Sequence, residues 1–345
     1  MRFDDTLSFA GRGRTTVRSI ALTAGLLLVP ALATAQTFEM KIGMVTINDT
    51  QFDVGKRFAE EVEKRSQGKI KGKVYPAAQL GSNPRQVEGV QLGTQEVYIG
   101  PPGFSVGLNP AFQVLDAPAI FGDARHAQRA LSHPAFRDRY LRLAESKGVV
   151  GVTLWVYDTT SIASREAVRT IDDLKGQKIR VLATKMESKL MAEFGAAGVP
   201  MPLPDVLPAL QRRTIDGVRT SLAVMNALKY YTVVKNMTVI EDGIIPTMIE
   251  VSKVWLDKLP PDSQKAVFDV GKDLEGWAFQ NAMGHVERAE KSWQQNGGDL
   301  IRFSAADQKA FMDRVRPLGD EFLGDNPATK EMYGLWKQSL EATRR

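Results

Sequence analysis

Beyond residue 35, the chain alternates short apolar runs with longer runs in which apolar residues recur every three or four positions. Short apolar runs are typical of β-strands, and the longer period is typical of helices. The pattern predicts strands over residues 39–45, 69–75, 96–99, 149–157, 178–182, 236–241 and 247–251. It predicts helices over residues 52–65, 86–92, 186–194, 205–211 and 261–295. This alternation indicates an α/β architecture with mostly parallel strands and helices on both faces.

The longest predicted helix covers residues 261–295. It starts at Pro261, a residue favoured in the first helical turn, and contains no further proline. One helix that crosses two lobes fits this pattern, and so do two shorter helices that break near Gly276. No Gly/Ser-rich linker divides the chain. Two lobes joined by strands are therefore favoured over two separate domains.

The first 35 residues have the order of a secretory signal peptide. Arg12, Arg14 and Arg18 precede an apolar run over residues 20–33, and the small residues Ala33 and Ala35 follow. The apolar run is shorter than the roughly 20 residues that a membrane-spanning helix needs. Cleavage after Ala35 is therefore favoured over a membrane anchor, and the protein is predicted to be periplasmic.

The composition excludes several kinds of site. The 345 residues include no cysteine and only three histidines. Disulfides, thiolate nucleophiles and zinc–thiolate sites are thus excluded, and no metal or cofactor is predicted. The formal net charge is only +5, and the basic run over residues 64–73 contains no aromatic residue. Nucleic-acid binding is therefore not predicted.

One short motif suggests an enzyme. Gly103-Phe-Ser-Val-Gly107 matches the G-x-S-x-G turn that carries the nucleophile of many serine hydrolases. In those enzymes the serine opens a long helix, whereas here Pro110 follows within five residues. A serine hydrolase that uses Ser105 is therefore the alternative from a different functional class. A turn whose backbone approaches another group closely is favoured.

Arg180 lies between two apolar residues in a predicted strand. Strands in parallel sheets are usually covered on both faces. A buried guanidinium has to be paired, because an unpaired buried charge is very costly. Its planar fork suits a bound carboxylate. The pattern alone leaves two kinds of partner open: a ligand carboxylate, or one of the internal acids Asp172, Asp173 and Asp216.

Several longer motifs occur in a fixed order along the chain. Two of them are Leu-Lys-Gly-Gln-Lys-Ile-Arg-Val at 174–181 and Ala-Leu-Gln-Arg-Arg-Thr-Ile-Asp-Gly-Val at 209–218. Others are Tyr-Pro-Ala-Ala-Gln-Leu-Gly at 75–81, Ala-Pro-Ala-Ile-Phe at 117–121 and Trp-Leu-Asp-Lys-Leu-Pro-Pro-Asp at 255–262. Taken together, the chain resembles the periplasmic solute-binding proteins of tripartite ATP-independent periplasmic (TRAP) transporters.

The resemblance implies two α/β lobes that close on a ligand, a long helix that crosses both, and no catalysis. Lobe I is expected to comprise residues 36–157 and about 246–285, and lobe II about 158–245 and 286–330. Residues 331–345 are expected to form a C-terminal helix. The expected partners are an organic acid and the membrane permease of a TRAP transporter, with a sensor receptor as the alternative. The protein is expected to be a monomer.

The resemblance also places the carboxylate-clamping arginine of the family at Arg180. Thr160 occupies a position that is often a second arginine or a polar group in the family, and Thr220 occupies one that is commonly an asparagine. The other candidate ligand residues are Trp155, Tyr157, Phe104, Arg165 and Arg219.

For some of these residues a second interpretation stays open. The aromatic residues Trp155 and Tyr157 also suit the core, and the arginines Arg165 and Arg219 also suit the surface. A single clamp with few polar partners favours a monocarboxylic acid, either aromatic or an oxo- or hydroxy-acid. A C4-dicarboxylate or a sugar acid is the alternative within the same family.

Overall fold

The computed structural model describes residues 37–344, and the predicted signal peptide lies outside them. The strands are β1 Phe38–Gly43, β2 Ile70–Tyr75, β3 Val97–Gly100, β4 Val149–Ser164, β5 Lys178–Val181, β6 Ala197–Pro200, β7 Gly217–Ser221, β8 Asn236–Ser252 and β9 Asp299–Arg302. The helices are α1 Thr50–Arg65, α2 Asn83–Leu92, α3 Ala124–Leu131, α4 Pro134–Tyr140, α5 Lys185–Glu193, α6 Leu203–Gln211, α7 Leu222–Ala227, α8 Lys253–Leu256, α9 Pro261–Gln295, α10 Ala305–Gly319 and α11 Lys330–Ala342. Two 3₁₀ segments, Pro102–Ser105 and Pro110–Asp116, connect β3 to α3.

All nine strands belong to one sheet, in the order β2-β1-β3-β8-β4-β7-β5-β6, with β9 beside β8. The outer pairs are parallel, as expected for βαβ units. The pairs β3–β8, β4–β7 and β4–β8 in the middle of the sheet are antiparallel. The sheet is therefore mixed, and each end of it is a small parallel unit covered by its own helices.

The long strands β4 and β8 join the two ends of the sheet. They pair with each other along most of their length. β8 pairs with β3 near its C-terminal end, and β4 pairs with β7 from Thr160 onward. Of the three register irregularities in the β4–β8 pair, one falls between Gly151 and Thr153, and the other two fall between Val156 and Asp158 and between Thr159 and Ser161. The pairing thus passes from one half of the sheet to the other close to the predicted boundary between the lobes.

The helix α9 is one continuous helix of 35 residues. Pro261 lies in its first turn, where a missing N–H costs nothing. The helix packs against α1, β4 and α7, so it contacts elements from both ends of the sheet. The alternative of two helices broken near Gly276 is therefore wrong. No helix within residues 37–344 combines the length and apolar character needed to cross a bilayer.

Two central strands differ from the predicted bounds. β4 continues to Ser164, and the two runs predicted over residues 236–241 and 247–251 form the single strand β8. The acidic pair Glu241-Asp242, Gly243 and Pro246 interrupt the apolar pattern between those runs. Proline is rare inside strands, but Pro246 lies opposite Val156, next to a register irregularity. Tertiary pairing therefore extends the strand through residues that locally disfavour it.

Candidate functional site

Arg180 extends from β5 into the protein interior and is fully buried. Its Nε donates to the carbonyl oxygen of Met201 at 2.9 Å, and its Nη1 donates to the carbonyl oxygen of Arg219 at 3.5 Å. Its Nη2 is buried without a hydrogen-bond partner. No acid among residues 37–344 forms an ion pair with this guanidinium. Backbone carbonyls thus orient the group and leave one nitrogen free.

The three acids proposed as internal partners of Arg180 are all engaged elsewhere. Asp172 forms an ion pair with Lys175. Asp173 accepts hydrogen bonds from backbone N–H groups in the turn before β5. Asp216 accepts the N–H of Lys178. The internal-pair alternative is therefore wrong.

The surroundings of Arg180 keep it charged. Burial lowers the pKa of its guanidinium to about 10, while the neighbouring Tyr230 and Glu187 oppose that shift. The group remains protonated at neutral pH. A buried cation with a free N–H is incompletely stabilised when no acid of the described part of the chain contacts it. The arrangement can therefore receive an anionic group.

The register of the strands divides the candidate residues between the two faces of the sheet. Arg180 lies beside Val218 in the parallel pair of β5 and β7. Side chains alternate along a strand, so Arg180 and Thr220 project from the same face. Arg219 projects from the opposite face, and so does Thr160, which lies opposite Ser221. The structure therefore groups Arg180 with Thr220 and groups Arg219 with Thr160.

Arg219 is the centre of a buried ion-pair network. Its Nε and Nη2 donate to the carboxylate of Glu187 at 2.9 and 3.3 Å, and its Nη1 donates to Asp242 at 2.7 Å. Thr160 donates to the same oxygen of Asp242 at 2.5 Å and accepts the N–H of Gly243. The interpretation of Arg219 as a surface residue is wrong, because it is buried. Two internal acids already compensate its charge.

Arg165 follows the last residue of β4 and is partly buried. Its Nη2 donates to the carbonyl oxygen of Leu210, and its backbone N–H donates to the carbonyl oxygen of Asp216, just before β7. The guanidinium of Arg180 instead reaches the carbonyl oxygen of Arg219, further along β7. The structure therefore does not bring Arg165 and Arg180 into contact.

The predicted aromatic residues lie in the core. Trp155 is fully buried in the apolar cluster that also contains residues of α1 and α9. Tyr157 donates to Asp49 at 2.9 Å, and Asp49 accepts the N–H of Phe52 at the start of α1. These contacts favour the core interpretation for both residues. Phe104 lies in the 3₁₀ segment Pro102–Ser105 and belongs to the larger apolar cluster.

Ser105 lies in the glycine-rich turn and is fully buried. Its hydroxyl lies 2.8 Å from both carboxyl oxygens of Glu250, a buried residue of β8. Burial raises the pKa of Glu250 to about 8, and the hydrogen bond from Ser105 opposes that shift. The three histidines of the chain contact other groups. The residues around Ser105 therefore do not form a Ser–His pair.

The same glycine-rich turn makes a close approach to α5. A Cβ atom placed on Gly103 would lie 3.1 Å from Cγ2 of Thr184, which caps the N-terminus of α5. Gly103 belongs to the predicted lobe I and Thr184 to the predicted lobe II. Thr184 follows Arg180 by four residues. The two predicted lobes therefore meet close to the buried guanidinium.

One buried acid near this contact had no signal in the sequence. Asp116 ends the 3₁₀ segment Pro110–Asp116 and is 5% exposed. It lies near Thr184, Glu187 and Arg219, and one of its carboxyl oxygens is buried without a hydrogen-bond partner. No group of three or more Asp, Glu and His side chains among residues 37–344 has the arrangement of a metal site.

Comparison with known sequences places this geometry in a family. Residues 43–325 match the model of the bacterial extracellular solute-binding protein family 7, DctP. A solute-binding protein of Verminephrobacter eiseniae is 32% identical over 295 residues, which cover 85% of this chain and 87% of the relative. The 2,3-diketo-L-gulonate-binding periplasmic protein of Escherichia coli is 28% identical over 281 residues, which cover 81% of this chain and 85% of the relative.

Solved structures show the same fold. A TRAP periplasmic solute-binding protein from Xanthobacter autotrophicus with bound β-D-galacturonate is 27% identical. The superposition has a TM-score of 0.80 and covers 87% of this chain and 99% of the relative. One from Desulfovibrio salexigens with bound orotic acid has a TM-score of 0.84 at 24% identity, over 89% of this chain and 100% of the relative. The predicted two-lobed α/β fold is confirmed.

These comparisons also decide the functional class. Proteins of this family bind substrates for transporters and are not enzymes. The hydrolase alternative is therefore wrong, in agreement with the contact between Ser105 and Glu250. The family binds small organic acids and delivers them to a membrane permease. The family model spans most of the chain, and a relative exceeds 30% identity. The chain therefore belongs to family 7 of the bacterial extracellular solute-binding proteins, the binding proteins of TRAP transporters.

Proposed function

We propose that this protein captures a monocarboxylic acid through Arg180 in the periplasm and delivers it to a TRAP permease. The observation that carries the proposal is the free Nη2 of a fully buried guanidinium that has no acid partner among residues 37–344. A bound carboxylate supplies the missing negative charge and accepts a charge-assisted hydrogen bond. Thr220, on the same face of the sheet, is a further candidate donor to the ligand.

The positions of the other arginines support a ligand with one carboxylate. A dicarboxylate needs a second cation to compensate its second charge. Arg219 is already compensated by Glu187 and Asp242. Arg165 is only partly buried and donates to the carbonyl oxygen of Leu210, although its Nε is buried without a hydrogen-bond partner among the described residues. Arg180 is thus the fully buried arginine of this region with a free nitrogen and no acid partner among residues 37–344. Galacturonate and orotate, bound by two of the solved relatives, also carry one carboxylate each.

A dicarboxylate or a sugar acid remains the alternative within the family. A relative from Rhodobacter capsulatus binds C4-dicarboxylates, and a solved relative from Shewanella oneidensis holds succinate. A sugar acid fits the single clamp equally well, and it differs from an aromatic or oxo-acid in the number of hydroxyl groups that need partners. Melting-temperature shifts with galacturonate, orotate, 2-oxo acids and succinate separate these ligand classes.

The proposed mechanism is capture by closure. The ligand enters between the separated lobes, its carboxylate reaches Arg180, and the lobes then close by bending β4 and β8 near their register irregularities. Closure excludes water, which strengthens the contact between guanidinium and carboxylate. The ligand shifts the population toward the closed form because only that form surrounds the carboxylate. The protein is proposed to act as a monomer, cleaved after Ala35.

The test uses the segment Gln36–Arg345, purified after unfolding and refolding to remove any bound acid. Its melting temperature is measured with galacturonate, orotate, 2-oxo acids and succinate. A ligand at about 100 times its dissociation constant adds about 2.7 kcal/mol of stability, which is a clear shift. We expect shifts from monocarboxylates. A shift from succinate alone would show that a second cation contributes.

The matched variants are Arg180→Ala and Arg165→Ala. Removal of a charged partner that is buried with its ligand costs about 2–5 kcal/mol. Arg180→Ala should therefore weaken binding of the acid that shifts the wild type by at least about 30-fold, measured by titration calorimetry. Arg165→Ala should bind that acid like the wild type. Equal affinity of Arg180→Ala and the wild type would reject the clamp.

A further inference from the structure

The contact between the predicted lobes contains more acids than cations. Asp116 reaches this contact from the predicted lobe I, and Glu187 and Arg219 reach it from the predicted lobe II. Asp242, in the part of β8 that belongs to lobe II, lies on another side of Arg219. With Arg180, which also lies near Glu187, three carboxyl groups and two guanidinium groups thus lie close together in the interior of the protein.

The guanidinium of Arg219 has no nitrogen left for Asp116. Its Nε and Nη2 donate to Glu187, and its Nη1 donates to Asp242. One oxygen of Asp116 is buried without a hydrogen-bond partner. An ionised Asp116 would be an unpaired buried charge beside the carboxylate of Glu187, which is strongly unfavourable. The geometry therefore requires Asp116 to carry a proton when the lobes are in contact.

We propose that Asp116 couples closure of the two lobes to the uptake of one proton. When the lobes separate, Asp116 is exposed to water and ionises. When they meet, it is buried against Thr184 and Glu187 as the neutral acid. The proposal deepens the proposed capture by closure and rests on it. The distance between the lobes is measured without ligand, so the result does not depend on which acid the protein binds.

The electrostatics of the contact support this assignment. Burial raises the pKa of Asp116 to about 8, and the carboxylate of Glu187 adds to the shift, while Thr184 and Arg219 oppose it. The elements around the segment Pro110–Asp116 carry further buried titratable groups, namely Tyr140 of α4, Asp242 and Glu250 of β8, and Tyr333 of α11. Their other titratable groups are exposed or half-buried and include Lys185, Lys189 and Glu193 of α5, Glu241 of β8, and Lys330, Glu331, Lys337 and Glu341 of α11. Arg180, which also lies near Glu187, is a second buried cation beside Arg219, and the buried acids of the contact still outnumber the buried cations.

The expected size of the effect follows from linkage. The closed form holds a proton up to about pH 8, whereas an exposed aspartate releases it near pH 4. Each pH unit between these values lowers the ratio of closed to open form about tenfold, and the ratio levels off above about pH 8. Between pH 6 and pH 9 the ratio should therefore fall by about tenfold or more. Closure is favoured at the acidic end of this range.

The experiment measures the distance between the lobes in the protein without ligand. The chain contains no cysteine, so two introduced cysteines are labelled cleanly. Glu88→Cys in α2 and Lys189→Cys in α5 place spin labels on the two predicted lobes. Pulsed electron paramagnetic resonance then gives the closed and open fractions from pH 6 to pH 9. We expect the closed fraction of the wild-type background to fall with rising pH.

Two variants assign the effect to Asp116. Asp116→Asn mimics the neutral acid, so its closed fraction should not depend on pH in this range. Glu275→Gln is the matched control, since Glu275 is also a largely buried acid whose pKa burial raises to about 7, but it pairs with Arg137 away from the lobe contact. This control should keep the pH dependence of the wild type. Circular dichroism checks that each variant is folded.

Three outcomes would overturn the proposal. The first is a distance distribution of the wild-type background that is the same at pH 6 and pH 9. The second is a pH dependence that survives in Asp116→Asn. A dependence abolished by Glu250→Gln instead would assign the proton to the acid beside Ser105 and would also reject the role of Asp116.

Discussion

Two arginines in neighbouring strands are equally buried but differ in the groups that they contact. Arg180 in β5 and Arg219 in β7 are both at most 1% exposed, and the Nη1 of Arg180 even donates to the carbonyl oxygen of Arg219. Arg219 contacts two carboxylates, whereas the hydrogen bonds of Arg180 within residues 37–344 go to backbone carbonyls. Burial of an arginine therefore does not distinguish a structural ion pair from a ligand site. The presence or absence of an internal anion does.

The pKa values of the two groups reflect the same difference. For Arg180, burial lowers the pKa, and nearby Tyr230 and Glu187 compensate only in part. For Arg219, burial also lowers the pKa, but Asp242 and Glu187 more than reverse the shift, and the value is raised. The guanidinium of Arg219 is paired with carboxylates before any ligand binds, and the guanidinium of Arg180 is not. Four predictions test this contrast.

The largest effect is expected for the stability of Arg219→Ala. This variant leaves Glu187 and Asp242 buried without their cation, and breaking a buried pair by removing one partner costs about 3–5 kcal/mol. Arg180→Ala leaves a similar cavity but strands no carboxylate among residues 37–344, so it should lose at least about 1 kcal/mol less stability than Arg219→Ala. Urea unfolding measures both. Equal losses in the two variants would contradict the contrast.

The next effect concerns affinity. Arg180→Lys keeps the charge but loses the planar fork that the carbonyls of Met201 and Arg219 orient. Binding of the acid identified in the panel should weaken about 10- to 100-fold, or about 1.4–2.7 kcal/mol. Arg165→Lys is the control and should leave the dissociation constant unchanged in titration calorimetry. If Arg180→Lys binds as tightly as the wild type, charge alone suffices and the fork is not needed.

A third prediction extends the contrast to acids. Glu187 pairs with the cation of Arg219, whereas the partner of Glu250 among the described residues is the neutral hydroxyl of Ser105. Unfolded Glu250 ionises near pH 4.5, but the folded protein keeps the proton to about pH 8. The wild type therefore loses stability as pH rises through this window, and Glu250→Gln does not. The variant should gain about 2 kcal/mol relative to the wild type between pH 5 and pH 7.

Thermal unfolding at a series of pH values measures this gain. Glu187→Gln is the comparison, because it weakens an ion pair and should be less stable than the wild type at neutral pH. A constant difference between Glu250→Gln and the wild type from pH 5 to pH 7 would mean that Glu250 is ionised in the folded protein.

The smallest effects separate the two threonines. Thr160→Val removes the hydrogen bond to Asp242 and should cost about 1 kcal/mol of stability with little change in affinity. Thr220→Val should leave stability nearly unchanged and weaken binding a few-fold, because Thr220 shares the face of Arg180. Unfolding and binding measurements on both variants test this assignment. If Thr160→Val weakened binding and Thr220→Val lowered stability, Thr160 would belong to the ligand site and Thr220 to the ion-pair network.

Most of the fold was predictable from local patterns. The predicted long helix coincides with Pro261–Gln295, and the predicted strand over residues 69–75 is β2 Ile70–Tyr75. Short strands were missed where the sequence has little apolar character, as in β6, which reads Ala-Gly-Val-Pro. The union of two predicted strands into β8 depends on pairing with β4, and no local pattern carries that information.

For the site, the sequence identified Arg180 as a candidate clamp but not its surroundings. It offered Arg219 as a second cation, because an arginine and its distant acids cannot be paired from sequence alone. Glu187 lies in a short helix and Asp116 in a 3₁₀ segment, and neither belongs to a motif. Trp155 and Tyr157 were candidate ligand residues because they end the predicted strand that enters lobe II. The alternation of side chains along a strand does not show which of its two faces meets a ligand and which packs in the core.

The position of β8 in the sheet has a consequence for how the chain folds. This strand is eighth in the sequence, yet it lies between β3 and β4 and holds the two ends of the sheet together. Until residue 252 is available, β1–β3 on one side and β4–β7 on the other have no common strand. Pairing at such sequence separations is slow, because loop closure precedes any gain from the contacts. The nascent chain should therefore stay incompletely folded for most of its synthesis.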